Sequence, residues 1–400
     1  MPDSKIWEKV RHNLRWLPAY GWQRIVRRPP GGPVHLLFAL ADHFEPSFDP
    51  AAPGTYVEEG EQERRLEQWC REYPRVVDAW RDSDGRPFRH TYFYPAEQYK
   101  KPPIDRLAEH CHAGWGEIEI HLHHGVWTPD TAENTRTALV EFRDALVGHG
   151  CLSRLDGAGP PRYAFVHGNW ALANSAGGRC CGVDEEMQIL AETGCYADLT
   201  LPSAPHPAQV GKINALYECG LPLDRRAPHR RGRDLRCGRA PEIFPLIVQG
   251  PLLLTFPRGP RGWPVPNIEN GALTTNNPPT MARLRLWRQA AITVHGRPDW
   301  LFIKLHCHGM DPRDEATMLG APKRLFLREL IEGAQGGRQY HVHFLTAREM
   351  VNIVLAACDG REGNPGDFRD YRFKPINALR GSVKDDEFQG RLHSSTPRRS

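Results

Sequence analysis

The stretch that decides the fold is Gly116-Glu117-Ile118-Glu119-Ile120-His121-Leu122-His123-His124-Gly125. Apolar and polar residues alternate through most of it, which is the period-two pattern of a β-strand. At roughly 3.3 Å per residue, His121 and His123 lie about 7 Å apart on one face of that strand. A strand that ends in imidazoles predicts a site at its carboxyl end, where both rings could bind one cation through bonds of roughly 2 Å.

Further apolar segments turn polar at their carboxyl ends in the same way. Segment 34–46 contains Asp42-His43 near its end. Segment 163–170 ends in His167-Gly168-Asn169-Trp170, and segment 300–309 ends in His306-Cys307-His308-Gly309. Most histidines in proteins bind no metal, so a single His-x-His is weak evidence for a metal site. Recurrence at several strand ends is typical of a parallel (β/α) barrel with one catalytic rim, and it predicts a metal site there.

The composition of the whole chain narrows the function classes. The 52 basic and 48 acidic residues give a net charge of +4, which favours no nucleic-acid partner. Ten cysteines form no Cys-x-x-Cys pair, so we expect them to be reduced and mostly buried. The first thirty residues lack an apolar signal-peptide core and no segment has the length of a membrane span, so the sequence predicts a cytoplasmic location.

The order of elements predicts an α/β fold, specifically a distorted (β/α) barrel of seven to eight strands in a single domain with long rim loops. The main strands are expected at 34–43, 88–94, 116–124, 163–167, 196–201, 244–248, 252–256, 300–309 and 340–345. Helices are expected at 58–81, 102–111, 128–147, 183–192, 281–294 and 346–357. A doubly wound open sheet is the alternative, and the lack of a Gly-rich phosphate loop after the first strand counts against it.

Composition divides the chain into three parts. Residues 1–32 are predicted to contain a basic helix, 33–358 the barrel, and 376–400 a polar, disordered tail. The basic helix is interpreted as packing across the bottom of the barrel, with weak peripheral membrane contact as the alternative. Seven arginines between residues 222 and 242 are interpreted as a solvated loop, with phosphate binding as the alternative.

The order of the strand ends resembles the polysaccharide deacetylase (NodB-like, carbohydrate esterase) family. Four segments carry the resemblance: Ala41-Asp42-His43, Glu117 to His124, Lys304-Leu305-His306, and Phe344-Leu345-Thr346-Ala347-Arg348-Glu349. Segments 165–170 and 194–203 look like a divergent bacterial branch of that family. His43 stands where the family has its second aspartate, and Gly125 stands where it has the second histidine of His-x-x-x-His.

The resemblance implies a distorted barrel that holds one divalent metal, expected to be zinc, and hydrolyses an amide bond. The expected substrate is an N-acetylated sugar of a surface polysaccharide or glycoconjugate. We assign His43, His121 and His123 as metal ligands, with Asp42 as general base and His306 as general acid. His124 is the alternative to His123, and Asp42 could instead be a ligand or a helix-capping residue.

Four residues are expected to bind the carbohydrate: His167, Asn169, Trp170 and His308. Trp170 and Trp127 could stack on a sugar ring, although a tryptophan is more often part of a core. Glu269-Asn270 could belong to a lid. The alternatives for function are a metal-dependent glycosidase on a related barrel and a catalytically inactive carbohydrate-binding barrel in a biosynthetic complex.

Overall fold

The computed structural model describes residues 14–27, 33–52, 55–258, 262–334 and 340–377. Part of the expected N-terminal helix is present at Leu17–Val26, and the rest of that prediction lies outside the described residues. The predicted tail lies outside them beyond residue 377.

The elements alternate between strands and helices along most of the chain. The strands are β1 (Val34–His43), β2 (His90–Pro95), β3 (Gly116–Leu122), β4 (Ser153–Leu155), β5 (Ala158–His167), β6 (Cys195–Asp198), β7 (Leu216–Cys219), β8 (Gly232–Asp234), β9 (Leu246–Val248), β10 (Leu253–Thr255), β11 (Asn267–Glu269), β12 (Trp300–Cys307), β13 (Tyr340–Leu345) and β14 (Phe373–Pro375). The helices are α1 (Leu17–Val26), α2 (Glu59–Val77), α3 (Lys101–His110), α4 (Ala132–Gly148), α5 (Glu186–Thr193), α6 (Met281–Ala290), α7 (Glu315–Met318), α8 (Ala321–Ala334) and α9 (Ala347–Cys358).

One largely parallel sheet organises the described residues. Its strands follow the spatial order β12, β1, β2, β3, β5, β6 and β9, and every neighbouring pair in that series is parallel. The short strands β7 and β8 continue the sheet in antiparallel fashion, and β4 and β14 extend beside β5. A mixed α/β fold with mostly parallel strands, which the sequence predicts, is confirmed.

β1 lies at the centre of this arrangement because it pairs along both edges. One edge pairs with β12 from His35 to Asp42, while the other pairs first with β13 and then, from Ala41, with β2. Leu36, Phe38 and Leu40 pack into one core, and the alternate side chains pack into a second core that includes the fully buried α9. Burial on both faces explains why β1 reads as a continuous apolar run.

Three predicted helix boundaries are corrected. The N-cap of α4 is Thr131 rather than Thr128, and its side chain accepts a hydrogen bond from the Asn134 amide. Helix α2 continues through Pro74, so the proline does not end it, and it ends at Val77 with the Asp78 amide bonded to the Pro74 carbonyl. Helix α6 ends at Ala290 because Ala291 adopts a left-handed conformation.

The state of the cysteines and the apolar character of the helices were also predicted from the sequence. All ten cysteines are free thiols and eight of them are buried, as expected. Among the described residues, no helix combines the length and the apolar character needed to cross a lipid bilayer.

A candidate metal centre at the carboxyl ends of the strands

Five side chains meet where β1, β3 and β12 end. Ligand atoms of His43, Glu45 and His308 lie within 4.8 Å of one another, and so do those of Glu45, His121 and His123. Because Glu45 belongs to both sets, the five form one continuous group. The strands β12, β1, β2 and β3 are parallel neighbours, so their carboxyl ends lie at the same edge of the sheet, where α/β proteins build their sites.

Glu45 lies between the two histidines that the sequence placed on one face of β3. Its Oε1 is 3.4 Å from His121 Nε2 and 3.8 Å from His123 Nε2. The rings of His121 and His123 have their centroids 4.6 Å apart. The predicted pairing of these imidazoles is therefore present, and a carboxylate that the sequence analysis left unassigned completes it.

Hydrogen bonds on the far side of both rings fix their orientation. His121 Nδ1 lies 2.9 Å from the carbonyl oxygen of Val166, which only accepts, so Nδ1 carries the proton. His123 Nδ1 donates in the same way to Glu97 Oε1 at 2.7 Å. Metal-binding histidines show this arrangement, since an acceptor on one ring nitrogen directs the other towards the ion.

The charges of the group suit a cation. Burial acts to raise the pKa of Glu45, but the imidazoles of His121, His123 and His308 outweigh it and lower that pKa to about 2. Burial is the main cause that lowers the pKa of His121, although Glu45 opposes it. Burial and then the charge of His308 lower the pKa of His43 well below its ordinary value. Near neutral pH the group therefore offers an ionised Glu45 and neutral rings at His43 and His121. Burial acts to lower the pKa of His123, but the hydrogen bond to Glu97 and the charge of Glu45 outweigh it and raise that pKa.

These contacts provide a test of whether a metal ion fits. A neutral His121 with its proton on Nδ1 directs the lone pair of Nε2 at Glu45, and the buried Nε2 makes no hydrogen bond. Two electron-rich atoms at 3.4 Å repel one another unless a cation lies between them. Two ligands that each lie roughly 2.1 Å from a tetrahedral ion are roughly 3.4 Å apart. Glu45, His121 and His123 therefore fit a divalent cation, with His43 and His308 beside it.

Asp42 is not brought to this group, which corrects its assignment as general base. Its carboxylate is buried, lies 2.9 Å from His90 Nδ1, and accepts a hydrogen bond of 2.6 Å from the Gly309 amide. Consecutive side chains of a strand point to opposite faces, so Asp42 faces away from the side to which β1 directs His43. We interpret Asp42 as holding the turn that carries His308.

A cleft of about 690 Å³ opens beside the metal group. His306 and His308 line it from β12 and the residue after it, and Trp170 lines it from the opposite loop. The ring of His306 lies 6.2 Å from that of His43, and its buried Nδ1 has no hydrogen-bond partner. The predicted residues His306, His308 and Trp170 thus share one cleft.

Three other expected residues lie elsewhere. His167 is fully buried and belongs to a separate group with His124, Cys181 and Glu186, so its assignment as a carbohydrate-binding residue is corrected. Asn169 is half-buried outside the cleft, and its backbone N–H donates to His167 Nδ1. Trp127 is 86 % exposed and makes no part of the cleft wall.

Sequence reasoning missed Glu45 and Glu97. Both follow the ends of predicted strands, where the period-two pattern stops and no longer indicates which way a side chain points. The signal that could have found Glu45 is its position two residues after His43 in Asp42-His43-Phe44-Glu45-Pro46.

Comparisons with models of known protein families and with curated proteins find no match to this chain.

Proposed function

We propose that this protein is a metal-dependent hydrolase that removes the acetyl group from an N-acetylated sugar of a surface polysaccharide or glycoconjugate. The observation that carries the proposal is Glu45, whose carboxylate faces the unpaired Nε2 of His121 at 3.4 Å beside the cleft. We further propose that zinc is the ion and that the parallel strands wrap into a distorted barrel around it. Both fit the resemblance to polysaccharide deacetylases.

A divalent ion bound there would supply a Lewis acid and a water of lowered pKa. Glu45, His121 and His123 are the residues that would hold it, which leaves a fourth position for water, and His43 lies beside them. Water oxygen bonds to the acyl carbon, the carbon–nitrogen bond breaks, and a water proton ends on the leaving nitrogen.

Two histidines are placed to move that proton. His308 is partly exposed at the edge of the metal group, where it can accept the proton of the attacking water. His306 precedes it by two residues and lines the same cleft, where it can return a proton to the leaving nitrogen. This keeps the predicted acid role of His306 and replaces Asp42 as the base.

Trp170 gives the cleft an apolar wall that suits a pyranose ring. Its ring lies 5.4 Å from that of His206, and both residues line the cleft. Sugar rings stack on such aromatic faces through their C–H groups, so the leaving sugar is expected on this side. The acetyl carbonyl would then point towards His308 and the metal group.

The proposal is tested by acetate release from N-acetylglucosamine oligomers by the purified full-length chain. Chelation should abolish release and zinc should restore it. The double variant His121→Ala, His123→Ala should lose about one equivalent of metal. Its turnover should fall by at least roughly a hundredfold, because losing even a residue that only orients a metal ligand costs up to about that much. His112→Ala is the matched control, because His112 is exposed and outside every group of candidate ligands.

Three outcomes would count against deacetylation. Equal metal content in the double variant and wild type would place the ion elsewhere. Release of free sugar without acetate would indicate a glycosidase. Tight carbohydrate binding without turnover in the zinc-loaded protein would indicate an inactive binding barrel.

A further inference from the structure

A second group of potential ligands is buried next to the metal group described above, which we call the first group or first site. His124, His167, Cys181 and Glu186 offer two imidazoles, a thiol and a carboxylate whose ligand atoms all lie within 4.8 Å of one another. The four side chains come from the ends of β3 and β5, from the loop after β5, and from the first turn of α5. All four residues are buried, and none of them lines the cleft.

Glu186 connects the four side chains. Its Oε1 lies 2.9 Å from His124 Nε2 and 3.7 Å from His167 Nε2, and its Oε2 lies 3.7 Å from Cys181 Sγ. Neighbouring ligands of tetrahedral zinc are separated by roughly 3.3–3.8 Å, given bonds of roughly 2.0–2.3 Å. The two separations of 3.7 Å fall within that range, whereas the 2.9 Å separation to His124 is shorter and has the length of a hydrogen bond.

The far side of His124 is held as in a metal site. His124 Nδ1 lies 2.9 Å from Asp130 Oδ2, and the hydroxyl of Thr135 donates to the same carboxylate oxygen at 2.9 Å. A carboxylate on Nδ1 orients the ring and leaves Nε2 for the ion. The simpler explanation is an imidazolium held between Asp130 and Glu186, and it accounts for His124 alone.

His167 and Asn169 carry the inference beyond that ion pair. His167 Nε2 and Asn169 Oδ1 are both buried and neither has a hydrogen-bond partner. Coordination through Nε2 would put the His167 proton on Nδ1. Nδ1 could then no longer accept the present 3.2 Å hydrogen bond from the backbone N–H of Asn169. Asn169 Oδ1 is the acceptor that we expect that proton to use. One ion therefore gives both buried atoms a partner, which the ion pair does not.

We propose that His124, His167, Cys181 and Glu186 bind a second metal ion, of the closed structural type that zinc favours. Four protein ligands leave no position for substrate, and a thiolate beside imidazoles selects zinc over magnesium or calcium. The existence of this second site does not depend on whether the protein is a hydrolase.

The second ion would join two loops at the rim. The Asp130 amide donates to the Cys181 carbonyl at 2.8 Å, and a Cβ on Gly125 would lie 1.9 Å from that same oxygen. The loop 168–185 also carries Trp170, and His124 directly follows His123. Zinc at this position would therefore fix the loops on which one cleft wall and one ligand of the first site depend.

Elemental analysis and cobalt substitution of the full-length chain test this site. Wild type should bind about two zinc ions per chain, and Cys181→Ser should bind about one, since the thiolate is one of four ligands. The cobalt-loaded wild type should show a thiolate-to-cobalt charge-transfer band that Cys181→Ser lacks. Cys180→Ser is the matched control, because Cys180 is adjacent but outside the group, and it should keep both the second ion and the band.

X-ray absorption at the zinc edge of wild-type protein gives a second measurement if Cys181→Ser does not fold. No cysteine belongs to the first group, but Cys307 lies in a separate buried group with Asp42 and His90. A sulfur neighbour at roughly 2.3 Å that persists in Cys307→Ser therefore reports the second site. The double variant His121→Ala, His123→Ala should keep that sulfur-bound zinc, which separates this proposal from the first one. Absence of a sulfur neighbour, or an unchanged metal content in folded Cys181→Ser, would overturn the proposal in favour of the imidazolium ion pair.

Discussion

Asp42 is a buried carboxyl group whose hydrogen bonds indicate a positioning role. Burial raises the pKa of Asp42 to about 7, although the hydrogen bond from Gly309 opposes the shift. The same carboxylate contacts His90, whose Nε2 lies 2.7 Å from the buried Lys323 Nζ. These contacts lie away from the cleft, so Asp42 connects β1 to the turn after β12 and positions His308.

Two substitutions at Asp42 should separate positioning from base catalysis. Asp42→Ala removes the acceptor of the Gly309 amide, so we expect a loss of about 1–3 kcal/mol in the free energy of unfolding. Asp42→Asn keeps an oxygen for Gly309 but presents an NH₂ group to His90 Nδ1, so it should recover part of the stability and most of the turnover. Denaturant unfolding and acetate release measure the two effects, and both variants should retain the metal of the first site. An Asp42→Asn variant that is stable, metal-loaded and inactive would restore Asp42 as the base.

The same residue marks the limit of what the sequence could predict about the site. On β3 polar residues alternate with apolar ones, and this correctly placed His121 and His123 together. On β1 both faces are buried and apolar, so the pattern carried no information about which of Asp42 and His43 faces the cleft. Glu45 follows the strand end, where only the loop backbone decides its direction.

At the scale of an element, β3 combines a metal-binding end with a buried carboxyl group in its middle. Glu119 is 1 % exposed and accepts hydrogen bonds of 2.6 Å from the Tyr196 hydroxyl and from the Ala164 amide. Burial raises its pKa to about 8 despite these two donors. The folded protein therefore holds a proton at Glu119 in a pH range where the unfolded chain has released it.

This difference predicts how stability depends on pH. Between about pH 4.5 and 8 the folded state binds one proton more than the unfolded state at Glu119, so its contribution falls as pH rises, by at most about 1.4 kcal/mol per pH unit. Glu119→Gln removes that contribution and leaves Tyr196 free to accept a hydrogen bond instead of donating one. Relative to wild type, the variant should gain stability steadily across this range and level off above about pH 8. Urea unfolding at several pH values checks it, and a difference that does not change with pH would contradict it.

Elements with strong periodicity were predicted well, and the segments between them were not. β1 and β13 have the bounds expected from sequence, and α9 starts after a capping box at Thr346 and Glu349. The sequence predicts no helix or strand between residues 168 and 182, yet this loop supplies Trp170 to the cleft and Cys181 to the second group. Contacts distant in the sequence determine such a loop, so local patterns could not reveal it.

At the scale of the whole molecule, ion pairs hold the end of the sheet opposite the metal group. Arg348 pairs with Glu117 at the start of β3 (2.7 Å) and with Asp370 (2.6 Å), and it donates to the Phe373 carbonyl (2.7 Å). Arg369 pairs with Asp82 at 2.8 Å. The network thus joins β3, α9 and the segment before β14, which lie far apart in the sequence.

Arg348→Met should therefore destabilise the protein and leave its metal sites intact. Removing one partner of a buried ion pair leaves the others without compensation, which costs about 3–5 kcal/mol. Glu117 lies four residues before His121 on β3, roughly 13 Å along the strand, so the geometry of the first site should not change. The control is Arg136→Met, whose partner Glu192 and own side chain are about half exposed (43 % and 45 %), and its pair should contribute at most about 1 kcal/mol. Urea unfolding and elemental analysis measure the two properties on each variant. Loss of metal from folded Arg348→Met would show that the two ends of the sheet are coupled, whereas equal stability of both variants would show that the network contributes little to folding.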